Sequence, residues 1–289
     1  MPGSALAAAG SFSWSVDPLQ IAPLAVAVAL YAKRASTLAR RGRPVSARRR
    51  AWFYSGAAVI LLALVSPVDT LGEDKLFYMH MIQHLMLGDL GPLMMVLGLT
   101  GPLLRPLLAL PGLGRLRALA HPLAALPLWA VNFYLWHLPA LYQAALRHPA
   151  LHALEHGLFF LAGALMWAAV VEPLPGPAWF GTAWKAAYTL AVRVLGMILA
   201  NVFIWSSQSF YDFYAAGERS WGISAVSDQR IGGLIMFTEG GIVTLVAFGL
   251  LFMRWTREAE LRQSLLDEGH DPAAAARAAR YGRSALAQR

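Results

Sequence analysis

Seven apolar runs, at about 18–32, 51–67, 76–99, 122–141, 152–171, 186–206 and 231–253, occupy much of this 289-residue chain. Hydrocarbon offers no water to a peptide N–H or C=O, so runs of roughly 20 apolar residues cross a bilayer as helices, which close their bonds internally. Charged residues make up 14% of the chain, well below the roughly 25% of soluble domains. The expected fold is therefore all-α: a polytopic membrane protein built as a seven-transmembrane-helix bundle. It divides into an outer segment at 1–17, the transmembrane domain at 18–253 and a charged cytoplasmic tail at 254–289.

Basic residues set the orientation, because loops rich in Lys and Arg stay cytoplasmic. The 33–50 loop, the 100–121 loop, Lys185 and the tail together carry nineteen of them, whereas the opposite side has only Lys75, Arg147, Arg219 and Arg230. This places the N-terminus outside and the C-terminus inside. The net charge of +8 is accounted for by this asymmetry and by anionic lipid, so it requires no nucleic acid. Residues 1–17 lack the basic n-region of a signal peptide, and the first span is expected to remain uncleaved. The WTREAELRQSLLDE stretch of the tail reads as a short amphipathic helix at the inner surface, with little packing beyond it and no chemistry.

With that topology, five histidines converge near the outer leaflet. At about 1.5 Å of rise per residue, His80 and His84 lie one and two turns into the third span. His152 and His156 sit at the mouth of the fifth, and His137 ends the fourth. Spacing of i,i+4 puts each pair on one helix face. A single imidazole at a helix end is often only a polar cap, with His152, nearest to water, the least committed. Two HxxxH pairs at one depth favour a shared site, and imidazole is the commonest metal ligand. The chain has no cysteine, which leaves His, Met, Asp and Glu as possible donors. Met79 and Met236 are the thioethers best placed to join, a combination suited to copper.

Ionisable groups inside spans are costly and should face protein. Asp89 and Arg193 fall at similar depth and are expected to pair. Glu239 lies near the depth of His84 and could ligate metal, orient a ligand, or hydrogen-bond between helices. Asp228 is placed to cap the seventh span, with Gln229 beside it. Glu172, before Pro173, reads as a helix terminator. The outer loop from Ser206 is rich in aromatic residues and suits a lid or an interfacial belt.

The segments YMHMIQHLMLGDLGPLMMVLG, NFYLWHLPALYQAALRHPALHALEH and SDQRIGGLIMF, in that order, make the chain resemble the multispanning CtaG-type cytochrome c oxidase assembly factors of the caa-oxidase type. The resemblance covers residues 50–255. It implies a bacterial inner-membrane protein, not an enzyme, that matures a heme–copper oxidase and handles copper on the periplasmic side. Its partners would be oxidase subunits and the lipid bilayer. His80, His84, His137, His152 and His156 carry over as the family's histidine positions, and Asp228 and Gln229 as its DQ element. Two other readings stay open: a membrane cytochrome with heme b held by His84 and either His137 or His156, and a metal-free scaffold for oxidase assembly.

Overall fold

The computed structural model describes residues 13–111, 113–214 and 221–287, so the first twelve residues of the outer segment and Arg219 lie outside it. The described chain is helical throughout. Helix α1 (Pro18–Arg40) leads into α2 (Ala47–Val65) and α3 (Pro67–Asp74), with a 46° bend between the last two. Helix α4 (Phe77–Leu85) passes through a π-helical turn (Met86–Leu90) into α5 (Gly91–Leu97), and a 107° bend then sets off α6 (Gly101–Leu108). The remaining helices are α7 (Pro122–Trp136), α8 (Pro139–Arg147), α9 (Pro149–Val171), α10 (Thr182–Trp205), α11 (Ala225–Asp267) and α12 (Pro272–Tyr281).

Prolines set many of these boundaries. Leaving aside α5, which continues a π-helical turn, seven of the helices just named start at proline or carry it as their second residue, where the missing N–H would have had no intrahelical partner. Pro139 also holds Leu138 out of the helical region (ψ 130°) because the proline ring clashes with a helical neighbour. This ends α7 at His137.

Among the described residues four helices, α1, α9, α10 and α11, are long and apolar enough to cross a membrane, or up to six if each bent pair counts as one span. Exposed side chains on them are largely apolar. Leu190, Val194, Ile198 and Val202 make an i,i+4 stripe along α10 with each residue close to half exposed, while five histidines, Glu155 and Asp228 are buried inside. This is the polarity expected where lipid is the solvent. The run at 122–141 is divided between the 15-residue α7 and the separate α8, because Pro139 breaks it. Helix α7 alone rises only about 22 Å at 1.5 Å per residue.

The tail differs from expectation. Helix α11 runs for 43 residues through position 254 without a break, so the amphipathic stretch is its extension rather than a separate helix. Helix α12 then folds back, burying Leu265, Ala275 and Ala278 together. Arg280 reaches the carboxylate of Glu172 at 2.6 Å, and Lys185 reaches it at 2.6 Å as well. Glu172 does end α9, in the left-handed conformation at φ 60°, but it is also the anchor that fastens the tail.

The π-helical turn has a local cause. Pro92 lacks the N–H that would bond the carbonyl of Gly88, and its ring crowds that same carbonyl. The chain widens one turn, and the Gly91 amide bonds back to Met86. The Gly88 carbonyl faces Gly163 of α9 so closely that a Cβ on Gly163 would lie 1.9 Å from the oxygen. Gly163→Ala should therefore force the two helices apart and cost about 1–3 kcal/mol, the range for overpacking. Gly157→Ala on the same helix, where a Cβ meets nothing within 4 Å, should not. Thermal unfolding of both variants in detergent would show the contrast.

Candidate metal centre

The five histidines meet in one buried cluster. His80 is fully buried, and His84, His137, His152 and His156 are each no more than 5% exposed. Ring centroids lie 4.2 Å apart for His80 and His84, 4.1 Å for His152 and His156, and 5.3 Å for His80 and His152. His84 stands 5.9 Å from His137 and 5.7 Å from His156. His152, nominally nearest to water, is thus drawn fully into the group.

A sixth side chain belongs with them. Glu155 is completely buried, and its Oε1 lies 3.5 Å from His84 Nε2. Sequence reasoning passed over it, although an acid inside an apolar run meets the criterion that singled out Asp89 and Glu239. Two sets of three donors fall within 4.8 Å of one another: His80 with His152 and His156, and His80 with His84 and Glu155.

Hydrogen bonds determine which nitrogens are free. His137 Nδ1 lies 2.7 Å from the Phe133 carbonyl, which can only accept. His152 Nδ1 lies 2.9 Å from the Glu73 carboxylate. His156 Nδ1 lies 2.6 Å from Gln20 Oε1, while the amide nitrogen of Gln20 donates to Asp17. Each Nδ1 is therefore the donor, which in a neutral ring leaves the lone pair on Nε2. Those three Nε2 atoms are buried with no hydrogen-bond partner in the protein, as are both Glu155 oxygens and His84 Nδ1. Buried polar atoms are nearly always satisfied. His152 and His156, each held through one nitrogen and sharing with His80 a set of donors within 4.8 Å of one another, have the arrangement of metal ligands with their outer-shell partners. The donors present fit a cation.

Support comes from several elements. Helix α4 has no side-chain cap of its own. Asp228, fully buried on α11, accepts from the amides of Phe77 at 2.7 Å and Tyr78 at 2.9 Å and so caps α4 from a distance. The expectation that Asp228 caps its own helix is corrected, since Ser224 fills that place. Gln229 accepts from the Phe210 amide and donates to the Gln208 carbonyl, tying down the outer loop. From that loop, Tyr211 donates to the His137 carbonyl at 2.7 Å, and Tyr214 bonds Tyr142 and the Gly72 carbonyl. Tyr211 of the loop packs on Tyr142, with ring centroids 4.1 Å apart, and the Tyr142 ring lies 5.1 Å from that of His80. Gln83, also unremarked in the sequence, bonds Asp69 and the Ala63 carbonyl.

The remaining residues lie elsewhere. Met79 is half-buried on α4, and Met236 packs in an apolar cluster with Phe77, Met81 and Phe203. Glu239 lies within hydrogen-bonding reach of Asp89 and lines a small cavity with Asp89, Arg193 and Met236. The expected Asp89–Arg193 pair is not what forms. Asp89 accepts from Trp167 Nε1 at 2.6 Å, and Arg193 donates to the Phe237 carbonyl at 2.5 Å and lies over the Phe237 ring. The π-helical turn displaces Asp89 around the helix, toward α9 and Trp167.

Removing the distant cap should loosen the histidine-bearing helix. Asp228→Ala should cost about 0.5–2 kcal/mol, the scale of a lost N-cap, with Asp228→Asn recovering part. Unfolding in detergent measures the effect.

Comparison with known proteins places the chain. It is 25% identical over 267 residues to the uncharacterized protein Mb0105 of Mycobacterium bovis and to MT0111 of Mycobacterium tuberculosis; each match covers 85% of this chain and 40% of the relative. It is 24% identical over 230 residues to ML1998 of Mycobacterium leprae, covering 72% of this chain and 34% of that one. The chain thus spans well under half the length of these relatives. No solved structure matches. Residues 29–258 match the family described as cytochrome c oxidase caa3 assembly factor, and the chain belongs to that family.

Proposed function

We propose that this assembly factor holds copper as cargo on the buried imidazole cluster and passes it to a subunit of a heme–copper oxidase. The observation that carries the reading is the set of three imidazoles anchored through Nδ1, each with an unpartnered, buried Nε2. Imidazole suits copper, and a nearby carboxylate extends the donor set. The ion would be held by His80, His84, His152, His156 and Glu155, with His137 completing the ring. Met79, Met236 and Glu239 stay outside this set. The protein contributes binding, shielding from water and release, and no catalytic step. On this reading seven segments cross a bacterial inner membrane with the N-terminus outside, as the Lys and Arg distribution supports, and the cluster lies toward the periplasm.

The heme reading fits the geometry less well. The cavities that reach the rings, beside His152 and beside His156, hold about 170 and 120 Å³, short of the roughly 300 Å³ or more of a cofactor-sized site. The scaffold reading leaves the orphaned nitrogens without a role.

The decisive test is mass spectrometry for copper, iron and zinc on protein purified from its native membrane without a metal-affinity tag, before and after copper loading. Near-stoichiometric copper is expected, falling several-fold in His84→Ala and His156→Ala. A His84→Ala strain should make oxidase deficient in copper while the factor itself stays inserted. Stoichiometric iron with a Soret band would establish heme instead. Absence of metal after loading would leave the scaffold.

A further inference from the structure

A cavity of about 170 Å³ opens beside the cluster, lined by Asp17, Gln20, Asp69, Glu73 and His152 among others. Its described lining holds three carboxylates and no lysine or arginine, in a chain whose net charge is +8. Acid clusters are common on protein surfaces, and this one gains meaning from what lies beneath it. His152 lines the cavity while being only 4% exposed. Its Nδ1 bonds Glu73 on the cavity side, and its Nε2 has no hydrogen-bond partner and belongs to the set with His80 and His156. Gln20 bridges in the same way, with Asp17 on one side and His156 on the other. Two of the five imidazoles are thus held by the wall of the vestibule. Asp69 is kept in place by Ser15 and Gln83, and Glu73 remains half-exposed.

Resting on the copper reading above, we propose that this acidic vestibule is the port through which the cation is admitted, with His80, His152 and His156 as the position it reaches first. Carboxylates lining a concave, low-dielectric mouth raise the local cation concentration and the rate of encounter. His152 both lines the vestibule and belongs to the buried donor set with His80 and His156, so one side chain connects the two. The set with His84 and Glu155, which shares His80, is the next position inward.

The test is the loading rate. Asp69→Asn keeps an acceptor for Gln83 and offers a donor to Ser15, whose own proton can go to the Leu64 carbonyl; it bonds no imidazole, so this variant removes a vestibule charge with little change of shape. Copper(II) sulfate mixed by stopped flow with wild-type and variant protein in detergent can be followed by quenching of tryptophan fluorescence. At low ionic strength the variant should load about tenfold more slowly, within the range of electrostatic steering. The gap should narrow as salt is raised, and both proteins should reach the same final copper content. Asp267→Asn, on the exposed tail, should load like wild type. Equal rates for variant and wild type, or a gap insensitive to salt, overturn the port. A lower final content in the variant also overturns it, because the carboxylates would then be ligands. If wild type takes up no copper, the functional reading fails first and the port with it.

Discussion

Two amide groups at the start of α4 and one carboxylate on α11 set the frame for the interior. A helix that begins inside apolar surroundings leaves its first N–H groups without partners, and water is not there to supply them. Asp228 supplies two acceptors from a helix about 150 residues further along the chain. Because α4 is only nine residues long before the π-helical turn, the position of its first turn fixes His80 and His84 directly. Gly232, one turn on from Asp228, lets α11 come close enough, since a Cβ there would meet the Phe77 ring at 2.6 Å. The cap and the close approach are a single arrangement, and together they anchor the half of the cluster contributed by α4.

The other half is oriented by hydrogen bonds that leave one nitrogen of each ring free. His137 uses the carbonyl four residues before it, His152 uses Glu73 on α3, and His156 uses Gln20 on α1. The last two partners come from separate helices, so the orientation of His152 and His156 requires the bundle to be assembled. In two sets, His80 with His152 and His156 and His80 with His84 and Glu155, the donor atoms lie within 4.8 Å of one another, a spacing that a shared proton or a cation makes favourable. His80 and His84 show this most clearly, with their Nε2 atoms 2.7 Å apart. Either one ring donates to the other, or both serve a common ion.

Much of the outline was legible in the sequence. Hydrophobic runs locate the helices, and an i,i+4 histidine pair on each of two apolar segments points to a common face whatever the details of packing. Other features depend on facts that periodicity does not carry. The division of 122–141 comes from a single proline, and the π-helical turn from another, which rotates Asp89 away from Arg193 and toward Trp167. Asp228 looked like a local cap because sequence distance favours local partners, yet its acceptors serve a helix that only tertiary structure brings near. Glu155 was hidden by its neighbours: between two histidines of a recognisable pattern, the acid seemed incidental, although burial makes it the most exacting group in the site.

Helix α9 concentrates these demands. It contributes His152, Glu155 and His156 within two turns, crosses the π-helical turn at Gly163, and ends at Glu172, which binds Lys185 and the tail through Arg280. One rigid element therefore connects the cluster to the network at the far end of the bundle. Fastening of the tail and alignment of the imidazoles are mechanically joined along about 23 residues of helix, or roughly 35 Å at 1.5 Å per residue. A bundle that must keep five imidazoles and a carboxyl in register has reason to clamp the helix carrying three of them at both ends. The charged tail, which sequence reasoning left without a role, becomes part of what positions the site.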